Sequence, residues 1–159
     1  MKKIIAGAIG FMILITLGCS TSTTVSITQP MELSKNETAL AWFERGSAYA
    51  QGGNYEDAVN DFTNAIDNDP NFADAYYSRG RALGRLGKHE QAITDFSKTI
   101  DLNPGNANVF ADRGVAYGSL GQHKPAILDF TQAISLNPNF AGAYYNRAAC
   151  GYYPYPRCY

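Results

Sequence analysis

The sequence predicts an all-α protein built as a stack of antiparallel helix pairs, about three and a half of them, and three observations carry that prediction. Residue types recur every 34 positions: Gly46, Gly80 and Gly114; Ala58, Ala92 and Ala126; Phe62, Phe96 and Phe130; Pro70, Pro104 and Pro138. Within each period two apolar stretches of helical spacing flank a short break, at Gly52-Gly53-Asn54, Leu86-Gly87-Lys88 and Leu120-Gly121-Gln122. Each period then closes on a proline step that a helix cannot run through. A fixed period of this length marks units that bury their apolar faces against one another.

Length and composition agree with one folded domain: 159 residues, 45% hydrophobic and 17% charged. Thirteen basic residues against fourteen acidic ones give a net charge of -1, so no field favours nucleic acid as a partner. Three cysteines, Cys19, Cys150 and Cys158, are too few and too scattered for a disulfide framework or a four-ligand zinc site.

The chain opens on Met1-Lys2-Lys3 and an apolar stretch from Ile4 to Leu17, followed by Gly18-Cys19. A basic start and an apolar run shorter than the ~20 residues a bilayer requires read as a cleaved signal over residues 1–18. Thr16-Leu17-Gly18-Cys19 resembles the lipobox of bacterial lipoproteins, although Thr16 and Leu17 depart from the usual pattern. The resemblance implies lipidation at Cys19, a membrane anchor and a cell-envelope location. With Ser20 next, it implies the outer membrane, facing the periplasm, in a Gram-negative host, and the cell surface in a Gram-positive one. Cleavage leaves 11 basic and 14 acidic residues, a net charge of -3. Residues 19–36, rich in Ser and Thr and without helical period, read as a flexible tether.

The helical region is expected over residues 37–149, as units 39–72, 73–106 and 107–140 and a partial unit 141–149. Trp42, Arg45-Gly46, Tyr49, Ala58, Phe62, Ala65 and Pro70 in the first unit, with their counterparts in the next two, resemble the tetratricopeptide repeat. Thr99 is a minor departure. Each glycine within a helix costs about 1 kcal/mol relative to alanine. Close helix approach is expected to offset this, with Ala58, Ala92 and Ala126 as the facing residues. Phe62, Phe96 and Phe130 are expected to fill the gap towards the following unit, and Asn71, Asn106 and Asn139 to cap the next helices. Arg45, Arg79 and Arg113 recur with Asp61, Asp95 and Asp129 and read as structural ion pairs. The stub has Ala148 where glycine recurs, and residues 150–159 read as an irregular Tyr/Pro tail, with a Cys150–Cys158 disulfide as one alternative.

The resemblance implies a curved solenoid that binds a partner protein or peptide on its concave face and carries out no reaction. It places Phe43, Ser47, Tyr77, Arg81, Arg85 and Tyr145 on that face as partner-binding residues. Arg81 and Arg85 share a helix face suited to an anionic group, with Tyr77 as an aromatic shelf. Repeats that hold chaperone C-termini carry Lys and Asn where this chain has Phe43 and Ser47, so that partner class is not expected. His89 and His123 each open a second helix and belong to no metal or triad motif, and the sequence offers no phosphate loop, metal ligand set or cofactor signature. Two other readings are self-association into a homo-oligomeric envelope component and a remnant of a longer repeat protein.

Overall fold

The glycine breaks become tight turns between paired helices. In the computed structural model, which describes residues 35–151, seven helices follow one another: α1 Lys35–Gln51, α2 Tyr55–Asn68, α3 Ala73–Arg85, α4 His89–Leu102, α5 Ala107–Ser119, α6 His123–Leu136 and α7 Ala141–Gly151. The signal segment, Cys19 and the tether up to residue 34 lie outside the described residues, as does 152–159. Among the described residues no helix is long and apolar enough to cross a membrane. Gly53, Gly87 and Gly121 have φ between 70° and 81°, the left-handed region where a side chain is strained. At the second turn the Lys88 N–H donates to the Leu83 carbonyl at 2.9 Å and the Gly87 N–H to that of Gly84 at 3.1 Å. These two hydrogen bonds satisfy carbonyls that the end of α3 would otherwise leave open.

The proline steps are built differently from the sequence expectation. Asn106 is the N-cap of α5 and accepts from the Asn108 N–H at 3.0 Å, as anticipated. Asn71 instead donates its own N–H to Asp69 Oδ1 at 3.0 Å, and Asn139 likewise to Asn137 Oδ1 at 3.1 Å. The side chain before each of these prolines folds the turn, and α3 starts from Phe72 with no side-chain cap. Boundaries also move slightly: α1 begins at Lys35 and α7 continues through Cys150 to Gly151, so the tail loses its first two residues to the helix.

Helices touch chiefly their chain neighbours, so the core is a row of clusters rather than one centre. Ala58, Ala92 and Ala126 are wholly buried, as are Phe62 and Phe130, with Phe96 nearly so. The partners differ from those expected. A Cβ built on Gly46, Gly80 or Gly114 would lie 2.8–2.9 Å from the nearest atom of Phe62, Phe96 or Phe130. Each glycine therefore faces the phenylalanine of its own unit, and not the alanine. The ring lies across the first helix's bare backbone because only a residue without a side chain leaves it room.

The Arg–Asp pairs close within each unit. Arg79 donates Nε and Nη2 to the two Asp95 oxygens at 2.8 and 2.7 Å, and Arg113 does the same to Asp129 at 2.8 Å for both. Arg45 grips Asp61 in the same fork. The third nitrogen joins units: Arg79 Nη1 donates to the Thr63 hydroxyl at 3.1 Å and Arg113 Nη1 to the Ser97 hydroxyl at 2.9 Å. One guanidinium thus fixes both the pairing within a unit and the register between units.

Candidate functional site

Successive first helices, α1, α3 and α5, line two hollows. One of about 380 Å³ lies between α1 and α3 and is walled by Ser47, Ala50, Gln51, Tyr55, Phe62 and Ser78. The other, about 330 Å³ between α3 and α5, is walled by Gly84, His89, Phe96, Asp112, Val115 and Ala116. Arg81 and Arg85 line both, and so form the ridge between them. One turn of helix separates the two arginines, which places both guanidinium groups on the same face.

The ridge is anchored by a residue the sequence reading passed over. The Tyr77 hydroxyl donates to Asp112 Oδ2 at 2.8 Å, and Arg81 Nε stands 3.9 Å from the same oxygen. The Arg81 guanidinium also lies 5.7 Å from the centre of the Tyr77 ring. Burial pushes the Asp112 carboxyl above its ordinary value, opposed by the Tyr77 hydroxyl and by the charges of Arg81 and Arg85. Burial, reinforced by Asp112, likewise pushes the Tyr77 phenol upward, so Tyr77 keeps its proton and donates the hydrogen bond that Asp112 accepts. The available signal for this pair was its spacing: Asp112 lies one period and one residue beyond Tyr77.

The six residues expected on the groove occupy three different settings. Arg81 and Arg85 are exposed on the ridge, and Arg85 forms no ion pair among the described residues. Ser47 faces the first hollow and donates its hydroxyl to the Phe43 carbonyl at 2.8 Å. Phe43 packs against Phe62 and Phe72 at ring distances of 5.7 and 4.9 Å, within the core clusters. Tyr77 is half-buried and bonded to the next unit, so it joins two units rather than standing as an open shelf. Tyr145 is 74% exposed on α7, away from both hollows. No three His, Cys, Asp or Glu side chains among the described residues are grouped to hold a metal ion. His89 and His123 are the first residues of α4 and α6, and His89 also walls the second hollow. Cys150 is buried and disulfide-bonded, while Cys158 lies outside the described residues.

The same architecture is found in solved structures. The TPR domain of Arabidopsis OM64 superposes with a TM-score of 0.72 at 28% identity, over 74% of this chain and 97% of that one. The first TPR of Spaghetti (RPAP3), bound to the HSP90 peptide SRMEEVD, gives 0.71 at 27% identity over 72% and 91%. The second TPR domain of human RPAP3, in complex with the HSP70 peptide SGPTIEEVD, gives 0.71 at 28% identity over 73% and 97%. No curated protein matches the chain by sequence. Two family models described as tetratricopeptide repeat match residues 33–62 with 43–107, and residues 107–140. These matches cover all three complete helix pairs, and the chain belongs to the tetratricopeptide-repeat family.

Proposed function

We propose that this protein is a binding adaptor of the bacterial cell envelope, lipid-anchored at Cys19, that holds a segment of a partner protein in the groove between its first helices. The observation that carries the reading is the Arg81–Arg85 ridge between two hollows, with the Arg85 charge unmatched by an ion pair among the described residues. Such a ridge suits an extended segment whose acidic group meets the arginines while its neighbours fill the hollows on either side. Two structural neighbours are solved with acidic peptides, SRMEEVD and SGPTIEEVD, which supports a peptide ligand of that charge. Phe43 and Ser47 add no charge in the first unit, so recognition of the acidic group falls to Arg81 and Arg85. The envelope location rests on the signal-like segment before Cys19.

The test is crosslinking and affinity capture in the bacterial cell, with the full chain beside an R81A/R85A variant of unchanged helicity. A partner captured by the full chain and lost from the variant is the expected result. Equal capture by both would move the binding surface elsewhere, and capture of the chain alone would favour self-association. Fractionation of a Cys19→Ser variant checks the anchor, which should leave the membrane fraction.

A further inference from the structure

The arginine ridge is flanked by a carboxylate on one side only. Asp112 of α5 walls the second hollow beside Phe96, Val115 and Ala116, whereas no Asp or Glu among the described residues lines the first. Its Oδ2 accepts from the Tyr77 hydroxyl at 2.8 Å and stands 3.9 Å from Arg81 Nε. The Asp112 side chain remains 38% exposed, so its charge is felt in the hollow that it walls. Arg81 is thus partly matched from within the chain, while Arg85 forms no ion pair among the described residues. The first hollow differs in kind. Its polar walls include Ser47, Gln51 and Ser78, which are uncharged and can meet a neutral or a charged group.

We propose that Asp112 makes recognition in the groove one-sided: a bound segment sets its acidic residue on Arg85, and the neighbour entering the hollow between α3 and α5 must carry no negative charge. The inference rests on the reading of the groove as a peptide site and narrows the class of segment that it takes. An acid on Arg85 meets a cation that no carboxylate of the chain holds in an ion pair. A second acid on the α5 side would find Arg81 already paired with Asp112 and a like charge on the wall, an arrangement that rejects a guest rather than holding it. An apolar residue meets no such opposition and packs on Phe96, Val115 and Ala116. On the α1 side nothing among the lining residues discriminates against charge. Asp112 is therefore a specificity-determining residue, fastened in place by Tyr77 from the preceding unit.

The probe is a phage-displayed library of random seven-residue peptides, panned against the full chain. Seven residues reach about 23 Å when extended, enough to cross the roughly 10 Å between packed helices and enter both hollows. Selected peptides with a single acid are then made in fluorescent form, and each neighbour of that acid is replaced in turn by Glu and by Gln. On one side Glu should bind about tenfold more weakly than Gln, and on the other the two should agree within about twofold. The asymmetry should vanish with Asp112→Asn, which keeps an oxygen to accept from the Tyr77 hydroxyl. Arg85→Gln should weaken every selected peptide about tenfold, the loss of one charge-assisted contact. Equal sensitivity on both sides, or an asymmetry that survives Asp112→Asn, would overturn the role of Asp112 and leave the groove reading in place as long as binding still depends on Arg85. Peptides indifferent to Arg85→Gln, or a library that yields no binder, would overturn the groove reading and this inference with it.

Discussion

Gly80 and Gly84 stand one turn apart in α3, and the same substitution at each should act in opposite directions. Alanine gains up to about 1 kcal/mol over glycine in a helix, in full at the interior Gly80 and in part at Gly84, the second-last residue of α3. At Gly84 a new Cβ meets nothing within 4 Å, so the gain should be kept. For a domain of this size the full gain would correspond to roughly 3–5 °C in Tm, the ceiling for this site. At Gly80 the Cβ would stand 2.8 and 2.9 Å from two Phe96 ring atoms and 3.3 Å from the Asp95 Cβ. Phe96 is only 3% exposed, and pushing its ring aside presses on the adjacent Asp95, which is held in its fork with Arg79. Overpacking of this kind costs about 1–3 kcal/mol. With the site pinned on both sides the upper part of that range applies, which leaves a net loss of roughly 1–2 kcal/mol after the propensity gain. Urea titration followed by helical circular dichroism reads both variants as shifts of midpoint at constant slope. A midpoint raised equally by Gly80→Ala and Gly84→Ala would refute the idea that the phenylalanine requires the bare helix. The double variant Gly80→Ala, Phe96→Leu should recover most of the loss.

Asp95→Ala should cost about 3 kcal/mol by the same titration, because it leaves the largely buried Arg79 guanidinium without its carboxylate; a loss below about 1 kcal/mol would mean the pair is effectively solvated. Asp112 should make stability fall as pH rises through the acid range. Its folded pKa lies above the ordinary value of 3.8, so its contribution is complete below that value and is lost as pH climbs through the raised one. Asp112→Asn should flatten that part of the stability profile, and a profile unchanged by the substitution would show that the carboxyl is not desolvated.

What the sequence conveyed best was whatever repeats. Period, helix pairing, turn glycines and the Arg–Asp forks all follow from residue types recurring 34 apart, because each unit solves the same packing problem. Direction was less legible. Recurrence shows that Gly80 and Phe96 belong to one unit, yet it does not tell whether the ring turns inward onto that glycine or outward to the following helix. The caps were misassigned for a related reason: Asp69 and Asn71 are both capable of closing the same turn, and only the backbone decides which side chain accepts. The ridge arginines were readable from their four-residue spacing. Their anchor was not, since Tyr77–Asp112 occurs at a single joint and has no counterpart elsewhere to draw attention to it. The exposure of Tyr145 depends on what packs over α7, which no reading of α7 alone supplies.

The bond from each arginine back to the preceding unit has a consequence for how such a chain changes length. Thr63 and Ser97 offer equivalent hydroxyls to Arg79 and Arg113, and α2 meets α3 as α4 meets α5. Cutting out residues 73–106 would bring the Thr63 hydroxyl to Arg113 with the joint chemically intact. Insertion of a further 34-residue segment would be accommodated in the same way. A chain lengthened or shortened by one such unit should keep the same arginine–hydroxyl bond across the new joint. The reach of the molecule is a quantity that evolution can count in steps.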